Sequence, residues 1–263
     1  MFVRRYGQSG PQVLVLHGGP AAYGDAAQLA EGMSPSFRAI EPWQRRSGGE
    51  PLSVACHVAD THKLVVEIDS DTPLAIVGHS WGAMLALCYA AEYPEHVGRI
   101  VLVGCGTFDQ ASRERRREIL EERMNEDLRT ELHRNESDTV DPVERFIRKF
   151  KLTRHLSDFD LIESYADGEE WEPFDLQAHS ETWGDMMRLE KENNYPQAFA
   201  VIRSPVLLVQ GDYDPHPGQM IRDNLIRFIA HMEYRELECC GHYPWKEKAA
   251  REEFFSVISA WLG

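Results

Sequence analysis

The chain has 263 residues, of which 43% are hydrophobic, and carries 28 Lys+Arg against 43 Asp+Glu for a net charge of −15 at pH 7. This suits one core with an inserted subdomain that needs neither disulfides nor a metal to hold it. The acidic balance opposes nonspecific binding to nucleic acid or to an anionic membrane, whose phosphates would repel it. The first twenty residues lack the apolar run of a signal peptide, and no later run could span a bilayer, so a cytoplasmic protein is expected. The five cysteines (Cys56, Cys88, Cys105, Cys239, Cys240) form no C-x-x-C pair. Reduced thiols are expected, with Cys239 and Cys240 buried at a strand end.

In chain order, residues 13–16 read as a buried strand that ends at His17-Gly18-Gly19-Pro20. Residues 38–41 form a second strand, stopped by Pro42. Val58, Leu64, Val65 and Ile68 then make a helical stripe. Residues 74–77 predict a strand, 83–93 a helix rich in small residues and stopped by Pro94, and 100–103 another strand. Strands over 205–210 and 233–237 alternate with helices over 220–229 and 247–262. Such alternation predicts an α/β fold with a mostly parallel central sheet flanked by helices. Residues 107–200 differ, being rich in charge and aromatics and opening with a long helical segment over 112–134. They read as a helical cap inserted into a core of 1–106 and 201–263. Within the cap, Arg113-Glu114-Arg115-Arg116-Arg117 is followed by Glu118, Glu121 and Glu122, the partners expected on a solvated helix face.

Four segments carry chemistry. Gly78-His79-Ser80-Trp81-Gly82 fits G-x-S-x-G between a strand and a helix, where small neighbours permit the sharp turn that exposes a serine. Ser80 would then stand at a helix N-terminus, which favours developing negative charge. The glycines after residue 16 could present backbone amides to an oxyanion. Gly211-Asp212-Tyr213-Asp214-Pro215 offers two acids, and Gly241-His242-Tyr243 a histidine before the last helix. His216 and His231 are competing histidines. His57 and His62 lie at an awkward spacing for a shared metal, and neither a phosphate-binding nor a dinucleotide fingerprint occurs, so no metal and no cofactor are expected.

Together HGGP, GHSWG, GDYDP and CGHYP resemble the α/β-hydrolase superfamily along nearly the whole chain outside the cap. The closest likeness is to the proline iminopeptidase-like branch, peptidase family S33. That resemblance implies Ser80 as nucleophile, His242 as base, Asp214 as acid with Asp212 as fallback, and the amides of Gly19 and Trp81 as oxyanion donors. It implies a small-molecule or short-peptide substrate cleaved through an acyl-enzyme. Glu41-Pro42-Trp43-Gln44-Arg45-Arg46-Ser47-Gly48 keeps the branch's Gln-Arg pair but has Arg46 where glycine is usual, and His79 stands where the branch more often has glycine. Iminopeptidases are thought to hold the substrate amine with cap carboxylates. The acids here are Glu163, Asp167, Glu169, Glu170, Glu190 and Glu192, while Trp171, Trp183 and Tyr195 could line an acyl pocket.

Overall fold

A computed structural model describes residues 1–68, 72–165 and 174–263. The elements, in order, are β1 (Val3–Tyr6), β2 (Gln12–Leu16), α1 (Ala27–Met33), β3 (Arg38–Pro42), α2 (Val54–Ile68), β4 (Leu74–His79), α3 (Trp81–Glu92) and β5 (Val97–Val103). Then come α4 (Gln110–Arg123), α5 (Glu126–Asp138), α6 (Pro142–Thr153), α7 (Leu176–Lys191), β6 (Val206–Gly211), α8 (Gly218–Leu225), β7 (Met232–Leu237) and α9 (Arg251–Leu262). The seven strands form one sheet in the order β1-β3-β2-β4-β5-β6-β7. Only β1 runs antiparallel to its neighbour.

The near-continuous apolar strands follow from burial on both faces. Alternation along each strand sorts its side chains into two cores. Leu14, Leu16, Ile76, Ile100, Leu102 and Leu208 face one way and pack with α2 and α3. Val13, Val15, Val77, Val101, Val103 and Val209 face the other way and meet residues of α1 and α9. Parallel pairing brings the carboxyl ends of β2, β4, β5, β6 and β7 to one edge, where loops of open α/β sheets gather functional groups. Among the described residues no helix is long and apolar enough to cross a membrane.

Several expected boundaries shift, each for a local reason. The segment 112–134 is two helices, because the Asn125 side chain accepts from Leu128 N at 2.8 Å and restarts the helix as α5. The last helix begins at Arg251, after a 3₁₀ turn over Pro244–Lys246. The helix expected over 220–229 is α8, which starts at Gly218 and stops at Leu225. β1 and α1 were not anticipated. β1 is an edge strand whose Arg4 reaches the buried Glu41 carboxylate through two hydrogen bonds of 2.7 and 2.8 Å. All five thiols are free, but Cys239 is exposed at φ +53°, while Cys240 is buried.

Candidate active site

Ser80 joins β4 to α3 with φ +53° and ψ −115°, a region that a side chain occupies at a cost of order 1–3 kcal/mol. The turn is held by Ser80 N donating to Val103 O at 2.8 Å and by Ala83 N donating to Ser80 O at 3.1 Å. Glycine is required on both sides. A Cβ on Gly78 would lie 2.3 Å from Gly82 O, and one on Gly82 would lie 2.2 Å from Leu16 O. The second contact seats the turn against the end of β2. There the glycine loop passes Ser80 so closely that a Cβ on Gly18 would meet Ser80 Cβ at 3.3 Å. Neither Gly19 N nor Trp81 N donates a hydrogen bond to the described backbone.

Gln44 ties these pieces together. Its N–H donates to His17 Nε2 at 3.0 Å, so the His17 proton is on Nδ1, which donates to Gly18 O at 2.8 Å. Burial pushes the His17 pKa down to about 4, and the ring is neutral. Gln44 Nε2 donates to His17 O at 3.1 Å, and its Oε1 accepts from Trp81 Nε1 at 2.8 Å. One side chain thus cross-links the glycine loop to the residue after Ser80. Arg46, at the unusual position, lies 4.3 Å over the Tyr23 ring.

Asp214, in the loop after β6, has a fully buried carboxylate. Its Oδ2 accepts from His242 Nδ1 at 2.7 Å and from Gln210 Nε2 at 2.6 Å. Its Oδ1 accepts from His216 N and His216 Nδ1, both at 2.9 Å. Burial alone would raise its pKa, but the two imidazoles outweigh that and hold the carboxyl far below the ordinary range. Asp212 is exposed and accepts from Cys240 N at 3.0 Å, which makes it a turn acid. His231 lies beside Val206, at the opposite end of β6 from Asp214.

His242 lies against Gly104, where a Cβ would be 2.9 Å from Nδ1. Its loop is anchored by His242 N donating to Ser157 O at 2.8 Å and by the buried Glu247 carboxylate. Glu247 Oε1 accepts from Gly241 N at 3.0 Å and Phe159 N at 2.9 Å, while Oε2 accepts from Asp160 N at 2.7 Å. The Ser80 hydroxyl has no hydrogen-bond partner among the described residues. His79, the residue before Ser80, packs on the His242 loop, with its ring 4.7 Å from that of His242. His79 Nε2 meets His242 O at 3.0 Å and its Nδ1 meets Asp25 Oδ2 at 3.2 Å. Both partners are acceptors, so only the imidazolium makes both bonds. Burial works against that cation and lowers the His79 pKa. Asp25, in turn, is held at about 2, because His79 overrides the burial that would raise it.

This edge of a mostly parallel sheet, with a strained serine on one loop and an Asp–His pair on two others, agrees with the family comparison. The model of the α/β-hydrolase fold matches residues 11–249. The chain belongs to the α/β-hydrolase fold family. Cis-3-alkyl-4-alkyloxetan-2-one decarboxylase of Shewanella oneidensis is 27% identical over 110 residues, covering 39% of this chain and 34% of that protein. Proline iminopeptidase of Lactobacillus helveticus is 23% identical over 211 residues, covering 71% of this chain and 64% of that protein. The chain therefore spans from one third to just under two thirds of the length of these curated relatives. A solved meta-cleavage product hydrolase from Pseudomonas fluorescens IP01 superimposes with a TM-score of 0.62 at 16% identity, covering 98% of this chain and 92% of that one.

Within this α/β-hydrolase the other candidates separate. His216, a competitor for the base, bonds the acid and stacks on His242 with ring centroids 4.7 Å apart. Asp214, His216 and His242 present ligand atoms within 4.8 Å of one another, an arrangement that the two His–Asp hydrogen bonds account for. His57 and His62 face different neighbours: His57 Nε2 lies 2.9 Å from Thr182 Oγ1, and His62 stacks on Tyr93. Trp183 packs on Trp81 at 5.7 Å, and Tyr195 stacks on Phe199 at 5.1 Å. Glu190 pairs with Arg113, Glu192 pairs with Arg188 at 2.5 Å, and Glu163 is exposed. Asp167, Glu169, Glu170 and Trp171 lie outside the described residues. The arginine run departs from a uniformly solvated face. Arg115 and Arg117 meet Glu118, Glu122 and Glu121 as expected, but Arg113 turns to Glu190 and Arg116 Nε is buried. The sequence did carry a signal for Gln210, an amide closing an apolar strand directly before the acid loop. Asp25 and Glu247 had none, because Asp25 meets His79 and Glu247 meets Phe159 and Asp160 only across the fold.

Proposed function

We propose that this α/β-hydrolase is a serine hydrolase that cleaves a small ester or amide through an acyl-enzyme. Ser80 Oγ attacks the carbonyl carbon as its proton passes to His242 Nε2, and the amides of Gly19 and Trp81 receive the oxyanion. Collapse expels the alcohol or amine, which takes the proton from His242. Water then repeats the sequence on the acyl-enzyme and releases the acid. Asp214 keeps the His242 proton on Nδ1, leaving Nε2 free to accept. The observation that carries this reading is the 2.7 Å bond between His242 Nδ1 and the buried Asp214 carboxylate, on loops at the same sheet edge as a serine held at φ +53°. The helical segment between β5 and β6 would act as the cap that selects a small-molecule or short-peptide substrate, in a cytoplasmic setting.

The test is labelling of the intact protein with a fluorophosphonate probe. Labelling is expected in the wild type and absent in Ser80→Ala; an unlabelled wild type, or equal labelling of both, sinks the assignment. The match to proline iminopeptidase supports a second reading, in which a short peptide with an N-terminal proline is the substrate. A panel of p-nitrophenyl esters beside prolyl and alanyl p-nitroanilides separates the two. Turnover of the prolyl anilide alone selects the aminopeptidase, and turnover of esters alone removes it.

A further inference from the structure

Arg116 has no role in the reading above and is unusual in its surroundings. On α4, residues 112, 116 and 123 share one face. That face is turned inward: Ser112 is 1% exposed. At its far end, Arg123 lies 3.6 Å over the Tyr213 ring and donates to Leu156 O at 2.6 Å. Tyr213 adjoins Asp214, and Leu156 adjoins Ser157, the anchor of His242 N. The inner face of α4 therefore closes over both the acid loop and the base loop, with Arg116 between its fixed points.

Arg116 Nε is buried without a hydrogen-bond partner, and the guanidinium has no ion pair among the described residues. The charged groups that bear on it are those of the site itself. Burial lowers its pKa and Asp214 works against that; burial also disfavours the His216 cation, and the Arg116 charge adds to it. Asp214 cannot serve as its partner, because each of its oxygens already accepts two hydrogen bonds. A planar guanidinium left unpaired in a partly dry site is the side chain best suited to hold a carboxylate by two parallel bonds.

We propose that Arg116 is the anion-recognition element of this active site: the substrate carries a carboxylate that docks on its guanidinium while the scissile carbonyl lies at Ser80. This rests on the serine hydrolase reading. It adds that the substrate class is a carboxylate-bearing ester or amide, such as the half-ester of a dicarboxylic acid.

The test compares kcat/KM for 4-nitrophenyl butyrate with that for the 4-nitrophenyl half-ester of glutaric acid and for 3-carboxyphenyl butyrate, which place the carboxylate in the acyl and leaving halves. The wild type is expected to favour one carboxylate-bearing ester at least tenfold over the neutral one. Arg116→Met should abolish that preference, and Arg116→Lys should restore part of it. In parallel, Ser80→Ala is titrated calorimetrically with monomethyl glutarate and monomethyl succinate, which reads the subsite without turnover. Binding that weakens tenfold or more in Ser80→Ala/Arg116→Met supports the proposal even if no ester is turned over. Failed fluorophosphonate labelling would instead count against Ser80 alone. An unchanged selectivity ratio in Arg116→Met, or no binding of either half-ester, overturns the proposal. So does a lowered Tm with unchanged selectivity, which would make Arg116 a counter-charge to Asp214.

Discussion

Replacing Asp214 by Asn tests the proposed division of labour most sharply, because the carboxylate meets four donors and the amide can meet only some of them. Asn supplies one acceptor oxygen where Asp214 supplies two. The backbone N–H of His216, 2.9 Å from Oδ1, cannot turn away, so the amide oxygen must stay on that side. The new NH2 then faces Gln210 and His242. Gln210 can adapt by rotating its amide, since its own Oε1 is buried and unpartnered. His242 can adapt only by becoming an acceptor at Nδ1, which moves its proton to Nε2, the nitrogen required to take the serine proton. Loss of the working tautomer costs about 10⁴-fold in kcat, or about 5.5 kcal/mol of transition-state stabilisation. The assay is kcat/KM for a p-nitrophenyl ester, with the fluorophosphonate labelling rate as a second readout. Asp212→Asn is the control and should stay within about threefold of wild type, since Asp212 is exposed and holds only Cys240 N. An Asp214→Asn enzyme within tenfold of wild type, or an equal loss in Asp212→Asn, would refute this reasoning.

Ser80→Gly should raise stability by about 1 kcal/mol in urea melts while abolishing labelling, because glycine meets φ +53° without strain. Gly82→Ala places a Cβ 2.2 Å from Leu16 O, a backbone atom that cannot yield, and should lower stability by about 3 kcal/mol or prevent folding. Glu247→Gln leaves an amide facing three backbone N–H groups and should cost about 2–3 kcal/mol, measured by denaturant titration. Burial pushes the Asp158 carboxyl up to about 6. A carboxyl raised in the folded state contributes stability that is complete below its unfolded value and is lost as pH rises through the folded one. Asp158→Asn should therefore melt higher than wild type above pH 6, by about 2 kcal/mol after allowing for partial exposure. The difference should vanish below about pH 4.

Much of this protein was legible along the chain because its signals are local. A strand buried on both faces must be apolar throughout, so β2, β4, β5 and β6 declare themselves without reference to anything else. The glycines flanking Ser80 are dictated by a turn that closes within five residues, and the same is true of the glycine loop after β2. What the chain could not show are distances across it. Asp212 and Asp214 are equivalent as letters, and only the arrival of His242 and Gln210 at one carboxylate tells them apart. His216 competes with His242 as a base along the chain, yet in the fold it holds the other oxygen of the Asp214 carboxylate. Along the chain the arginine run reads as a solvated helix face, and that Arg116 turns inward depends on how α4 crosses the loops after β6 and β7. Burial, partner saturation and the unpaired guanidinium of Arg116 are properties of that crossing, since they arise from groups about a hundred residues apart that meet only once the chain has folded.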